Sequence, residues 1–419
     1  MKVLVIDPVS SGVAYANLLE QAGLEPVLLD TVRSLVARAR LAPTPGALDY
    51  ATDFGSDVTA LAKYCESNEV GYLIVGAEAG VPLADALRPL VPWFAKNDPE
   101  KPERRWDKAA MSEALAAAGV PGPQTRSLTS LGEVQEFAET LRSDPDWTFV
   151  VKPSIGSATV NVRKVETEAQ LLAAASAILD DPGLFGDFPK VLIQEFDPGR
   201  EFVIDTLSHN GQHHIVAVCV YDKRPSSLGS FVYERLRWIS ETDPLIPMLE
   251  SYSSSVLDAL GVRTGVGHME VILTEKGPRF IDYGARSHGS GHPLKTFRLT
   301  GTSQIHAEVS IALAVSRKMS PRIPDYHLRK YGAIAFFNIP EQLRSRPDFD
   351  KTTIGAVEGV VEFDVSLKPG YIYPETQTLL DGLDLGLAYL ESESMDQLSE
   401  NCAKAQATFL TYFERTAEQ

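Results

Sequence analysis

Cysteine is scarce in this 419-residue chain, and Cys65, Cys219 and Cys402 lie far apart with no CxxC pair. That excludes a disulfide scaffold and a zinc ribbon, fits a reducing cytosol, and reads as three structural thiols. No apolar run approaches the ~20 residues that a membrane span requires. The opening MKVLVIDPVSSGVAYA loosely mimics a signal peptide, but Asp7 and Pro8 interrupt it, so it reads as a first β-strand. Positive charge is short as well: 39 Lys and Arg against 56 Asp and Glu leave a net charge of −17. An acidic surface argues against nucleic acid or an anionic membrane as partner, while a local basic pocket stays open. Internal repeats, low-complexity segments, the P-loop pattern GxxxxGK[ST] and the dinucleotide pattern GxGxxG are all missing. What is present, 44% apolar and 23% charged residues, is average for a soluble globular protein. The length predicts two or three domains.

Lys2–Ile6 is a Val/Ile run of the kind that forms a buried parallel strand. Val13–Gly23 reads as a helix, Pro26–Leu29 and Gly71–Val75 as strands, and Leu83–Leu87 as a helix. This order predicts a right-handed βαβ arrangement and a parallel α/β domain over residues 1–100. The polar break NDPEKPER at 97–104 closes it. Arg105–Ala118 reads as an Ala-rich helix ending at Gly119, with VPGPQT an extended linker behind it. Residues 101–318 then mix strands and helices in mostly antiparallel order. Residues 319–419 form a small C-terminal α+β domain, with strands over 333–337 and 357–363 and a last helix near 395–413. The fold class expected is thus α/β followed by α+β.

The chemistry concentrates in GVGHMEVILTEKGPRFIDYGAR. A three-residue loop, Glu275–Lys276–Gly277, pairs positions whose numbers sum to 552 and sets Glu270 opposite Asp282. Facing carboxylates repel, and a hard cation such as Mg²⁺ or Mn²⁺ would neutralise them. His268, Gly284 and Arg286 share that face, an arrangement suited to phosphate. Lys152 ends an apolar strand before the small-residue loop Pro153, Ser154, Ile155, Gly156, Ser157, which can cradle a phosphate or be a plain turn. Lys108 sits in the helix opened by Arg104 and Arg105, where a solvated charge is the ordinary reading. In VLIQEFDPGREFVID, the hinge Gln194, Glu195, Phe196 can offer backbone groups to an adenine edge, and Glu201 can accept from ribose hydroxyls. Asp222–Phe231 reads as a mobile loop with Lys223 or Arg224 near phosphate. Ser287, His288 and His292 of SHGSGH either line the same pocket or are ordinary loop residues.

The order of these features resembles the ATP-grasp superfamily of carboxylate–amine ligases over roughly residues 100–310. The resemblance implies an ATP site between two α+β subdomains, the lid spanning about 120–197. It implies Lys108 and Lys152 on phosphate, the 153–161 loop with Ser157 as mobile lid, Gln194–Phe196 on adenine and Glu201 on ribose. Glu270 and Asp282 become metal ligands, and Arg286 steadies the transferred phosphate. Departures are Ala158 and Asn161 where Gly is common, Asp282 for Glu, and Gly284 where an Asn ligand is usual. The layout is most similar to the L-amino-acid ligases, which make dipeptides. That implies a carboxylate activated by ATP as an acyl phosphate and captured by an amine. His268 would be the base or orient a substrate carboxylate; Arg286, Ser287 and His288 would touch substrate. Implied cofactors are ATP and Mg²⁺ or Mn²⁺, and implied partners are small molecules, amino acids above all. The C-terminal domain could support a homodimer, and the expected location is cytoplasmic. Competing readings are an ATP-grasp enzyme with another acceptor, as in natural-product amide ligation or bicarbonate activation, a nicotinamide dehydrogenase using Asp30, and a nucleotide-binding regulator without turnover.

Overall fold

The computed structural model describes residues 1–31, 44–143, 146–156, 160–180 and 190–415. β1 (Lys2–Ile6) lies on the Val/Ile run, with Val3 through Ile6 fully buried. It is followed by α1 (Ala14–Gln21), β2 (Glu25–Asp30), β3 (Leu48–Asp49), α2 (Tyr50–Phe54), α3 (Val58–Ser67), β4 (Val70–Val75) and α4 (Val81–Leu87). The strands form a parallel sheet in the order β3-β2-β1-β4. Parallel sheets of this kind present ligands with the loops at their carboxyl ends. Here those loops carry Val9–Ser11 after β1 and Gly76–Glu78 after β4, and both line the cleft described below.

The polar break ends in a short 3₁₀ turn, Pro102–Arg105, rather than in the start of a helix. The helix begins later because Asp107 caps it, its carboxylate accepting from the amides of Ala109 and Ala110. Lys108 is therefore the first residue of α5 (Lys108–Ala118). Arg105 turns inward and pairs with Asp85 at 2.7 Å, both buried. The expected linker instead runs into β5 (Thr125–Leu128), because β8 offers it a free edge. Then come α6 (Leu131–Thr140), β6 (Phe149–Pro153), β7 (Arg163–Val165), α7 (Glu168–Asp180) and β8 (Val191–Glu195). These strands form an antiparallel sheet, β5-β8-β6-β7. Val134, Ala138, Leu171 and Ala175 of the two helices pack against Val151 and Ile193 of the sheet.

The remainder is β9 (Arg200–His209), β10 (Gln212–Pro225), β11 (Phe231–Trp238), α8 (Ile246–Ala259), β12 (Gly265–Thr274), β13 (Gly277–Gly284), α9 (His292–Thr300) and α10 (Gln304–Ser316). After these come β14 (Tyr331–Phe336), β15 (Leu343–Ser345), β16 (Val360–Val365), β17 (Ile372–Tyr373), α11 (Leu379–Leu385), β18 (Gly386–Ser392), α12 (Met395–Leu410) and β19 (Phe413–Arg415). An eight-stranded sheet orders them β13-β12-β9-β10-β11-β14-β18-β16. The C-terminal segment thus extends the same sheet by three strands, and a three-stranded sheet, β17-β15-β19, stands beside it. The expected loop at 222–231 is shorter, since Asp222 through Pro225 continue β10 and pair with β11.

Register places the chemistry on one face of this sheet. One row runs Asp282, Glu270, Val203, Cys219, Trp238; the next runs Gly284, His268, Asp205, Ala217. A third runs Ile272, Glu201, Tyr221, Leu236, Ile334, Tyr389. Successive rows are two residues apart along β9 and β12, so their side chains emerge on the same side.

The N-terminal sheet is tied to this body by α1 against α10, where the Tyr15 hydroxyl donates to Glu308. Burial lifts the Glu308 carboxyl to about 7, against the hydrogen bond from Tyr15 and the charge of Arg88. A carboxyl raised above its unfolded value binds its proton longer in the folded chain. Stability is therefore lost as pH rises from about 4.5 to about 7. Glu308→Gln should abolish that slope and raise stability above pH 7 by roughly 2–3 kcal/mol, read by denaturant unfolding at several pH values.

Candidate active site

Glu270 and Asp282 are register partners, as the hairpin reading requires, but by a different route. The turn is two residues, Glu275 and Lys276, flanked by Thr274 paired with Gly277, which takes φ +107°. Pairing then sums to 551 until a bulge between Glu270 and Val271 inserts Ile281 as an extra residue. The bulge restores the 552 register at the carboxylates. It also leaves the Ile281 carbonyl to accept from the Lys152 ammonium at 2.9 Å. Two devices that look like irregularities therefore set the acidic pair and aim a lysine at it.

Cations surround the pair. Lys108 lies 3.1 Å from Asp282 and donates to the Gly156 carbonyl at 2.8 Å. It is buried, so the solvated-charge reading fails: the cap at Asp107 starts the helix so that its first side chain points into the cleft. Burial pushes the Lys108 amine down, but Asp282, Glu78 and Glu270 outweigh it and hold it above its ordinary value. Lys152, equally buried, is pushed by desolvation down to about 8 despite Asp282. Glu201 meets Lys223 at 2.5 Å; burial lifts its carboxyl and Lys223 offsets part of the rise. Arg224 also lines the cleft and lies 3.5 Å from Glu234. Arg286 reaches Glu78 of the N-terminal sheet at 3.0 Å and its own neighbour's carbonyl, Ser287 O, at 3.1 Å. A side chain at Gly284 would meet the Arg286 guanidinium at 3.0 Å. Arg286 thus occupies the space an Asn there would need.

Behind the acidic pair stands a buried histidine cluster. The Asp205 carboxylate faces Nδ1 of His268 and of His288 at 3.3 Å each, and of His292 at 3.4 Å. The rings of His288 and His292 stack at 3.7 Å, and Trp238 stacks on His292 at 4.4 Å. His288 and His292 are therefore packed parts of the site, not ordinary loop residues. Burial favours neutral imidazoles, and for His268 the bonds to Asp205 and to Glu270 at 3.4 Å reverse this and raise it to about 9. His288, beside that charge, is pushed down to about 4 by burial and by His268. Burial works against the Glu270 carboxylate, but His268, Lys223 and Lys108 hold it well below the usual range. Asp205, His268 and His288 also come close enough to hold a metal ion, though each nitrogen already meets the carboxylate.

Gln194 is buried on β8 and its amide donates to Thr125 at 2.9 Å. The Glu195 amide donates to Gln124 O and the Phe196 amide to Thr148 O, 3.1 Å each. Lys164 lies over the Phe196 ring at 4.9 Å. Ser157 falls outside the described residues. Asn161 adopts φ +58°, a conformation that Asn tolerates better than most residues, so the backbone form common for Gly persists there. Lys108, Lys152, Gln194–Phe196, Glu201, His268, Glu270, Asp282 and Arg286–His288 line one cleft of about 820 Å³, whereas Ser154 and Ile155 of the expected phosphate loop do not. Asp205 and Glu78 were not anticipated. A lone Asp inside the apolar strand FVIDTLS, and an acid at the carboxyl end of a parallel strand, were the available signals.

Two lysines, an acidic pair and an arginine thus stand on the walls of one cleft between two antiparallel sheets. Residues 146–290 match the ATP-grasp domain. Dapdiamide A synthase of Enterobacter agglomerans is 27% identical over 342 residues, covering 81% of this chain and 80% of that protein. The L-arginine-specific L-amino acid ligase of Bacillus subtilis is 22% identical, covering 72% and 71%. The crystal structure of an L-amino acid ligase from Bacillus licheniformis superposes with a TM-score of 0.74 at 15% identity, over 100% of this chain and 99% of that one. At that identity the likeness is one of fold.

The cluster predicts its own titration. Asp205→Ala leaves His268 without its main buried counter-charge. The His268 imidazole should then titrate below about 9 in NMR spectra. The fold should lose about 3–5 kcal/mol in denaturant unfolding.

Proposed function

We propose that this protein joins the carboxylate of an amino acid to an amine, using ATP and passing through an acyl phosphate, with ADP and phosphate released. The observation that carries the reading is the pair of buried lysines, Lys108 and Lys152, beside the facing carboxylates Glu270 and Asp282, with Arg286 lining the same cleft. The donor set suits a divalent cation: hard oxygens on adjacent strands, one of them held ionised. Such an ion supplies charge neutralisation to the phosphates when bound.

The side chains divide the remaining work. Lys108 and Lys152 hold phosphate oxygens, Lys152 kept in line by the Ile281 carbonyl. Gln194 and the hinge through Phe196 take the adenine edge, and Glu201 accepts from the ribose once Lys223 swings off it. Arg286 exchanges Glu78 for the phosphoryl oxygens where negative charge grows. The substrate carboxylate attacks the terminal phosphorus and ADP departs. The amine then attacks the acyl carbon, loses a proton and expels phosphate. His268, raised to about 9, is protonated at neutral pH and has no free lone pair. That supports holding a substrate carboxylate over accepting the amine's proton. The 153–161 loop, as lid, would exclude water from the intermediate. The role of Ser157 stands or falls with that lid.

Two measurements test this. Glu270→Gln should cut amino-acid-dependent phosphate release at least a hundredfold while the thermal transition stays cooperative. Undiminished release would remove Glu270 from the reaction. ATP binding at pH 8 should take up about half a proton, because phosphate drives protonation of the half-neutral Lys152. Calorimetry in two buffers of different ionisation enthalpy reads it. Lys152→Met should lose that uptake.

A further inference from the structure

The Nδ1 atoms of the histidine cluster take no part in the reaction proposed above, and they converge on one acid. Asp205 on β9 and His268 on β12 are register partners on neighbouring strands. His288 joins them from the loop behind β13. One carboxylate oxygen and one nitrogen from each ring lie within 4.8 Å of one another, and all three residues are buried. The buried Gln304 side chain fixes the two rings relative to each other. It accepts from the His288 amide at 2.8 Å and donates to the carbonyl of Gly267, the residue before His268, at 2.7 Å. Both imidazoles stand 3.3 Å from the carboxylate. A charge-assisted N–H···O bond is shorter, about 2.7–2.9 Å. Ligand atoms bound at about 2.0–2.1 Å to a tetrahedral ion stand about 3.3–3.4 Å from each other. The spacing here is that of ligands around an ion.

The outer nitrogens agree with this. A metal-bound histidine carries its proton on the other nitrogen and gives it to a second partner. His268 Nε2 faces Glu270 at 3.4 Å, and His288 Nε2 faces the Tyr221 hydroxyl at 3.4 Å. His292, stacked on Trp238, supports the carboxylate from outside at 3.4 Å. His268 and His288 both line the cleft, which gives an ion its way in. Two imidazoles and a carboxylate suit a borderline ion such as Zn²⁺, whereas Mg²⁺ takes oxygen ligands. We propose that Asp205, His268 and His288 bind one transition-metal ion of the Zn²⁺ kind, through the carboxylate and the two Nδ1 atoms, with water as fourth ligand. The site is separate from the acidic pair Glu270 and Asp282. Its ion fastens the loop that carries Arg286 to the large sheet. His268 keeps an Nε2–H toward the cleft, so its part in the ligase reading is unchanged, and the metal site does not depend on that reading.

The test is Zn²⁺ binding to the untagged full chain, stripped of metal and titrated against a chromophoric chelator. Excess Mg²⁺ is present to compete at Glu270 and Asp282. One equivalent of Zn²⁺ should bind. His288→Gln should weaken that binding by about a hundredfold or more, since loss of an outer partner alone costs about ten- to a hundredfold. Asp282→Asn, which disables the acidic pair, should leave it unchanged. A cooperative thermal transition checks the fold of each variant, and the isosteric Asp205→Asn serves if His288→Gln does not fold. No equivalent bound in excess Mg²⁺ overturns the site. So does binding that survives in a folded His288→Gln or Asp205→Asn, or that disappears in Asp282→Asn.

Discussion

Two carboxylates facing each other across adjacent strands, half-buried in a cleft, repel unless positive charge is brought to them. Glu270 and Asp282 impose that condition on the whole cleft. Lys108 meets it from α5, which can begin there only because Asp107 caps the helix. Lys152 meets it from β6, steered by a carbonyl that a β-bulge sets free. His268 meets it from the neighbouring row, and is charged because Asp205 lies beneath it. In the free protein these groups satisfy one another. Bound phosphates and a divalent cation would replace one set of partners by another of the same kind. This is the economy of a preorganised site: the charges are in place before the reaction needs them.

The large sheet converts sequence separation into proximity. Asp205, His268 and Asp282 are far apart in the chain yet stand on three consecutive strands. The N-terminal sheet contributes Glu78 to the same cleft, and the C-terminal strands extend the same surface into an apolar region. Charged and apolar surfaces are thereby laid side by side on one sheet, while the small antiparallel sheet supplies the opposite wall.

Much of this was legible in the sequence because it is local. β1, the paired hairpin acids and the hinge after β8 follow from strand patterns and turn residues within short windows. The pairing of Glu270 with Asp282 came out right although the turn was misjudged, since the bulge at Ile281 compensates by one residue; no pattern in the hairpin announces a bulge. The helix start moved from Arg105 to Lys108 because a single Asp cap outweighs the helix preference of the residues before it. What could not be read is non-local. Asp205 gathers three histidines from two other segments, and Arg286 meets Glu78 across 208 residues. Such contacts exist only once the sheets are assembled. The burial of His288 and His292 belongs here too: their loop is polar by composition and is enclosed by Trp238 and Tyr221.

On the proposed route a substrate carboxylate attacks phosphorus before the amine attacks carbon. That order leaves a mark on the atoms: one carboxylate oxygen must leave with the phosphate. The measurement is turnover with the carboxylate-donating amino acid labelled with ¹⁸O in both carboxylate positions, with mass analysis of the phosphate and the joined product. An acyl-phosphate route delivers one ¹⁸O to each phosphate released and retains one in the new amide. Phosphate free of label, with condensed product still formed, would contradict it.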